Sequence, residues 1–181
     1  MHRQKVIELL DRYQTPFIEE AAMVQRARRF AADNPNCFER ELVEGHFTGS
    51  AWVLNPSRTH ALMLKHRKLG MWLQPGGHAD GDADITRVVL TEVSEESGVD
   101  ISNVRLISEA IFDVDEHIIP ANAKDPRHKH FDIRFLIEID DTLEIPGNEE
   151  STDIGWVALR EIARFNNARS FFRLVEKTRR L

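Results

Sequence analysis

Residues 77–99 read GHADGDADITRVVLTEVSEESGV, and no other stretch limits the fold of this chain as tightly. Ile85, Val88, Val89 and Val93 recur at helical spacing, so residues 84–97 are expected to form an amphipathic helix anchored on a core by that face. Glu92, Glu95 and Glu96 fall at i, i+3 and i+4 and project together from an adjoining side. Like charges at this spacing repel weakly on an open surface and more strongly where they converge in a cleft. A hard divalent cation removes the repulsion, and carboxylate oxygens suit Mg²⁺ or Mn²⁺. Gly98 stands where a C-terminal cap belongs. Gly76 and Gly77 enter the segment as a turn whose backbone can adopt conformations closed to other residues and bring a carbonyl near a ligand. A strand, a glycine-rich turn and an acidic helix in series describe a metal-binding corner, whereas three glutamates alone would describe a solvated helix face.

The flanking sequence supplies the rest of an α/β domain. Residues 1–33 read as helical, with Val6, Ile7, Leu9, Leu10 and Tyr13 on one face, a break at Pro16, and a second helix over 17–32. This N-terminal extension, taken as residues 1–37, is expected to pack on the domain formed by residues 38–181. Residues 50–54 and 61–64 flank the turn-rich Asn55-Pro56-Ser57-Arg58 and predict a hairpin. Met71-Trp72-Leu73 forms a short apolar run. Residues 104–114, 131–139 and 154–157 read as strands, a polar loop spans 117–130, and a helix starts near Leu159. Along 131–139, Phe131, Ile133, Phe135, Ile137 and Ile139 alternate with a polar side that includes Asp132, Arg134 and Glu138. Strands interleaved with helices predict a mixed sheet.

With 181 residues the chain suffices for one domain with a sizeable core. Its formal net charge of −6 carries no dense Lys/Arg stripe, which argues against binding a nucleic-acid polymer. A phosphate-rich substrate would need local cations, and bound metal ions are the simplest source. Cys37 is the single cysteine, so neither an internal disulfide nor a cysteine-based zinc site can form. No apolar leader follows Met1, and no run approaches the roughly 20 apolar residues of a membrane span, so a soluble cytoplasmic protein is expected, with no membrane partner.

The acidic segment resembles the box of the Nudix hydrolases, G-x5-E-x7-R-E-U-x-E-E-x-G-U, where U is aliphatic. With its first glycine at Gly77, the box places its acidic cluster at Glu92, Glu95 and Glu96, aliphatic positions at Val93 and Val99, and its last glycine at Gly98. Ala83 replaces the isolated glutamate and Thr91 the arginine, two groups that commonly pair in the family; losing both strands neither charge, and Asp82 or Asp84 can stand in for part of the carboxylate's role. GHFTGSAWVLN, LKHRKLGMWLQPGGHADGD, DVDEHIIP, HKHFDIRFL and EESTDIGW extend the likeness, over residues 38–156, to a bacterial Nudix subgroup without an assigned substrate. The resemblance implies an α/β/α sandwich with a mixed β-sheet, a Mg²⁺ or Mn²⁺ requirement, and hydrolysis of a diphosphate linkage in a small nucleoside-diphosphate-like substrate. It leaves a homodimer open.

On that resemblance Glu92 and Glu96 are expected to hold the principal cation with the Gly76 or Gly77 carbonyl, and Glu95 to complete the cluster or hold a second ion. Glu92 or Glu95 would take up the proton, with Glu149 and Glu150 as the loop alternatives. Outside the box, His78, His117, His128 and His130, near Asp113, Asp115 and Asp132, have three readings: a substrate pocket involving His78 and His130, a second and softer metal site such as Zn²⁺, or unconnected surface residues. Arg134 would hold a phosphate or pair with Asp132 or a neighbouring strand. His66, Arg67 and Lys68 form a small cationic cluster read as a solvated turn, and Trp52, Trp72 and Trp156 are read as core. Two other activities stay open: a weak or inactive ligand-sensing Nudix-like module, favoured by Ala83 and Thr91, and an isoprenyl-diphosphate isomerase, whose site combines His and Glu around a metal.

Overall fold

The computed structural model describes residues 2–121 and 126–181. Its helices are α1 (Gln4–Arg12), α2 (Ile18–Asp33), α3 (Ile85–Ser97), α4 (Ile162–Phe165) and α5 (Arg169–Thr178). Its strands are β1 (Gly45–Leu54), β2 (His60–His66), β3 (Trp72–Leu73), β4 (Gly76–His78), β5 (Arg105–Leu106), β6 (Asp113–Ile119), β7 (His128–Glu138) and β8 (Ser151–Ala158). The strands hydrogen-bond in the order β3-β2-β1-β7-β5, with β4 also on β1, β6 on β7 and β8 on β2. Residues group into two compact units, one of Met1–Gly49, Gly77–Val88 and Ser108–Phe135, the other of Ser50–Gly76, Val89–Ile107 and Leu136–Leu181.

In the first unit, Val6 and Leu10 form the buried face of α1, and Ala27 and Ala31 that of α2. Phe30 stacks on Phe131 with ring centroids 4.4 Å apart, and Phe38 lies 5.7 Å from Phe47. Glu20 is fully buried, yet its carboxylate accepts the Val114 N–H (2.9 Å), the Tyr13 hydroxyl (2.7 Å) and the Thr15 hydroxyl. Those donors make a charged group tolerable inside the core and tie α2 to β6. β6 and β7 run antiparallel with Asp113 opposite Arg134, Asp115 opposite Asp132 and His117 opposite His130. The expected alternation is present, with Phe131, Ile133 and Phe135 buried on one face, but the polar face is also enclosed. There the Arg134 guanidinium, 3% exposed, donates to Asp132 (2.7 Å), Asp115 (3.1 Å) and Asp113 (3.2 Å). Breaking a buried pair of this kind by removing one partner costs about 3–5 kcal/mol.

In the second unit, Asn55 shapes the predicted hairpin: its Oδ1 accepts the N–H groups of Thr59 (2.9 Å) and His60 (3.0 Å), and Leu54 faces Ala61 across the pair. β2 pairs antiparallel with β8, from His60 opposite Ala158 to His66 opposite Ser151. Trp52 is fully buried and donates its indole N–H to the Thr178 hydroxyl at 2.9 Å. Val89 and Val93 are fully buried, so the C-terminal part of α3 presents its apolar stripe inward as its spacing requires. The helix stops at Gly98, whose φ of 72° is the left-handed geometry of a helix cap.

Four local expectations change. The strand read over 104–114 is two strands, β5 and β6, because the Ser108 hydroxyl accepts the Ala110 N–H and turns the intervening chain. The loop read over 117–130 is shorter, since β6 runs to Ile119 and β7 begins at His128; residues 122–125 of that segment lie outside the described residues. The helix expected from Leu159 is a short 3-10 turn, α4 and α5, interrupted where the Asn166 side chain bonds to the Trp72 carbonyl (2.8 Å) and the Ala168 N–H (3.0 Å). The glycine pair is not a turn but the start of β4, with only Gly76 at positive φ, 156°. Among the described residues no helix is long and apolar enough to cross a membrane.

Candidate active site

The acidic helix carries its three glutamates at graded depth. Glu95 is exposed, Glu92 half-buried and Glu96 buried at 5% exposure. The Gly76 N–H donates to Glu96 Oε2 at 2.7 Å, so the strand end holds the carboxylate in one orientation. Burial pushes the Glu96 carboxyl up from its ordinary 4.5 to about 8; the Gly76 hydrogen bond opposes this, and the charges of Glu92, Glu150 and Glu95 add to it. Four carboxylates thus share one field in the second unit, with the deepest one reluctant to ionise. A set of oxygen donors that repel one another and contain no competing thiolate or imidazole fits a hard divalent cation. Gly77 and His78 fall in the first unit.

Glu150 contributes its charge to this cluster, as its place ahead of β8 allowed. Glu149 contributes its carbonyl, which accepts Arg67 Nε at 2.7 Å, while Arg67 Nη2 donates to the Ser151 carbonyl at 3.0 Å. Arg67 is therefore a clamp on the strand that follows, rather than part of a solvated cationic turn. Trp52 is core as read; Trp72 is half-buried against Phe165, with ring centroids 5.1 Å apart and edge-on.

In the first unit, the corner where Ala83 stands is tied by other groups. Asp82 accepts both Nε (2.8 Å) and Nη2 (2.7 Å) of Arg87, and its Oδ1 also accepts the Asp84 N–H (2.8 Å). Asp84 in turn pairs with Lys5 at 2.7 Å. The loop leading into α3 thus has a carboxylate–arginine pair of its own, displaced by one residue on the acidic side and four on the basic side from Ala83 and Thr91. Arg134 takes the ion-pair reading: enclosed and engaged by three aspartates, its guanidinium is not available to a phosphate, because reaching one would strip buried carboxylates of their partner.

The structure does bring His78 and His130 together, around a residue that reading the sequence passed over, His46. The ring centroids of His46 lie 5.1 Å from His78, 4.7 Å from His130 and 5.0 Å from His128, and His117 lies 5.3 Å from His130. Burial, reinforced by the neighbouring imidazoles, lowers His46 to about 4 and His130 to about 2, so both rings are neutral near pH 7. The signal for His46 was present: it stands two residues before Thr48 on the polar side of a strand, the same offset by which His130 precedes Asp132.

The family described as NUDIX domain matches residues 46–177. Among solved structures, the chain is similar to a C. elegans Ap4A hydrolase binary complex, with 14% identity over 72% of this chain and 93% of that chain and a TM-score of 0.59. It is also similar to the E. coli dihydroneopterin triphosphate pyrophosphohydrolase, at 14% identity over 72% and 92% of the two chains, TM-score 0.54. A third is the NUDIX domain of Shewanella oneidensis NrtR complexed with ADP ribose, at 17% identity over 84% and 96%, TM-score 0.53. These likenesses show the fold, a mixed open sheet with flanking helices in an α/β/α sandwich. No curated protein matches.

Proposed function

Given that this chain belongs to the Nudix family and is a Nudix-type pyrophosphohydrolase, we propose that it cleaves the diphosphate linkage of a nucleoside-diphosphate-like small molecule, with Mg²⁺ or Mn²⁺ held by Glu92, Glu95 and Glu96. The observation that carries this reading is the buried Glu96 carboxylate, oriented by the Gly76 N–H at 2.7 Å and surrounded by the charges of Glu92, Glu95 and Glu150. A divalent ion there supplies Lewis-acid polarisation of phosphate oxygens and lowers the pKa of a water. Glu96 is the fixed ligand, since one of its oxygens is already committed to the backbone and its position cannot drift. Glu92, half-buried one helical turn before it, would hold an ion and accept a proton at its carboxylate. Glu95, exposed, completes the donor set from the solvent side, and Glu150 adds negative potential that favours the cation and offers a second proton acceptor.

The substrate panel starts from the compounds that similar proteins are named for or bind: Ap4A, dihydroneopterin triphosphate and ADP-ribose. Product release is measured with Mg²⁺, Mn²⁺ or EDTA for the parent, Glu92→Gln and Glu96→Gln. The expected result is turnover of at least one diphosphate that EDTA abolishes and that falls by at least about a hundredfold in each variant. Metal-independent turnover, or parent-like rates in both variants, would overturn the assignment. No turnover of any diphosphate on the panel would overturn the nucleoside-diphosphate-like substrate class.

A further inference from the structure

The first unit holds a second constellation that the glutamates do not use. On three hydrogen-bonded neighbours in the sheet, β4, β1 and β7, stand His78, His46 and His130. Each offers one ring nitrogen, and these atoms all lie within 4.8 Å of one another. His128, two residues before His130 and so on the same face of β7, brings its Nε2 to 3.2 Å from His130 Nε2. In a tetrahedral site with metal–nitrogen bonds of about 2.0–2.1 Å, ligand nitrogens stand about 3.3–3.4 Å apart. The His128–His130 spacing of 3.2 Å is close to that value, and the nitrogens of His46, His78 and His130, at most 4.8 Å apart, have to close by up to about 1.5 Å.

His46 makes the case more than proximity does. It is 2% exposed, and among the described residues neither Nδ1 nor Nε2 has a hydrogen-bond partner. A neutral imidazole must carry one N–H and one lone pair, and burying both without partners is rare and costly. A cation at the centre of the cluster takes that lone pair. His128 shows the orientation expected of a ligand: its Nδ1 lies 2.8 Å from the Pro126 carbonyl, which can only accept, so Nδ1 donates there and Nε2 is the nitrogen turned toward His130.

We infer that His46, His78 and His130, with His128 as the fourth ligand, form a binding site for a late first-row divalent cation, Zn²⁺ by preference. The donor set selects the metal class. A donor set of imidazole nitrogens without a carboxylate suits borderline-soft Zn²⁺, whereas Mg²⁺ and Mn²⁺ prefer the oxygen donors of the glutamate cluster. With four protein ligands the site is closed, and its role is to clamp the ends of β4, β1 and β7 together. His78, His128 and His130 are only half-buried, which leaves the ion a path in.

The test uses the full chain, stripped of metal and folded. Zn²⁺ is titrated against a chromophoric chelator for the parent, His46→Gln, His130→Gln and the Glu92→Gln/Glu96→Gln double variant. The expected result is one tight Zn²⁺ per chain in the parent and the glutamate variant, and affinity lowered more than about a hundredfold in each histidine variant, beyond the tenfold to hundredfold loss of an outer-shell change. Parent-like Zn²⁺ affinity in both histidine variants, no binding by the parent, or loss only in the glutamate variant overturns the inference. Should a histidine variant misfold, the parent alone decides: histidine ring ¹⁵N resonances are followed on adding one equivalent of Zn²⁺. Shifts in three or four histidines support the site, and unshifted rings overturn it. Failure here leaves the hydrolase reading standing, since that reading rests on the glutamates and on Mg²⁺-dependent turnover.

Discussion

Glu96 concentrates the conflict between stability and activity in one side chain. Its carboxyl is pushed up to about 8 in the fold and returns to the ordinary 4.5 in the unfolded chain. Between those values the native protein holds a proton that the unfolded chain releases, so the stability tied to this proton is complete below about 4.5 and is lost as pH rises through about 8. In EDTA, the parent should therefore lose thermal stability from pH 5 to pH 8.5. Glu96→Gln, which cannot ionise and still accepts the Gly76 N–H, should flatten that slope and raise Tm at pH 8 by on the order of 5 °C while removing turnover. Parallel pH–Tm curves for the two proteins would show that Glu96 does not carry this charge penalty. Cys37 is the contrasting residue: fully buried, its thiol is pushed up to about 11, away from reactivity, and it takes part in neither constellation.

At the scale of elements, the end of α3 decides where the glutamates point. Gly98 at φ 72° terminates the helix immediately after Glu95, Glu96 and Ser97. A Cβ there would lie 2.5 Å from Pro146 Cγ and 3.2 Å from the Gly147 carbonyl oxygen, and Gly147 N–H bonds to the Ser97 carbonyl at 2.9 Å. Gly98→Ala should thus combine left-handed strain with overpacking and cost about 2–4 kcal/mol, read as a lowered urea midpoint with an unchanged slope. It should also lower kcat, since the last helical turn must shift. An unchanged midpoint would mean that the cap geometry is not needed. The boundaries and faces of α3 were legible because a 3.6-residue apolar period and a terminal glycine are local signals. The split of residues 159–178 into α4 and α5 was not, because Asn166 breaks the helix through a bond to Trp72, 94 residues away in sequence.

Across the whole chain, a formal charge of −6 predicts that phosphate is recruited through bound cations rather than through a basic surface. Fluorescence anisotropy with a duplex DNA in about 0.1 M salt should show no binding at micromolar protein, whereas micromolar affinity with a steep salt dependence would contradict the small-molecule reading. The family, the α/β class and the acidic helix were set by the sequence itself, because periodicity, glycine placement and carboxylate spacing act over a few residues. Tertiary structure alone decided which polar residues meet. Arg134 became the centre of three aspartates rather than a phosphate ligand, since pairing of β6 with β7 brings Asp113 and Asp115 onto it. His46 joined His78 and His130 although 32 and 84 residues separate it from them, since strand order, not chain order, fixes which side chains share a face.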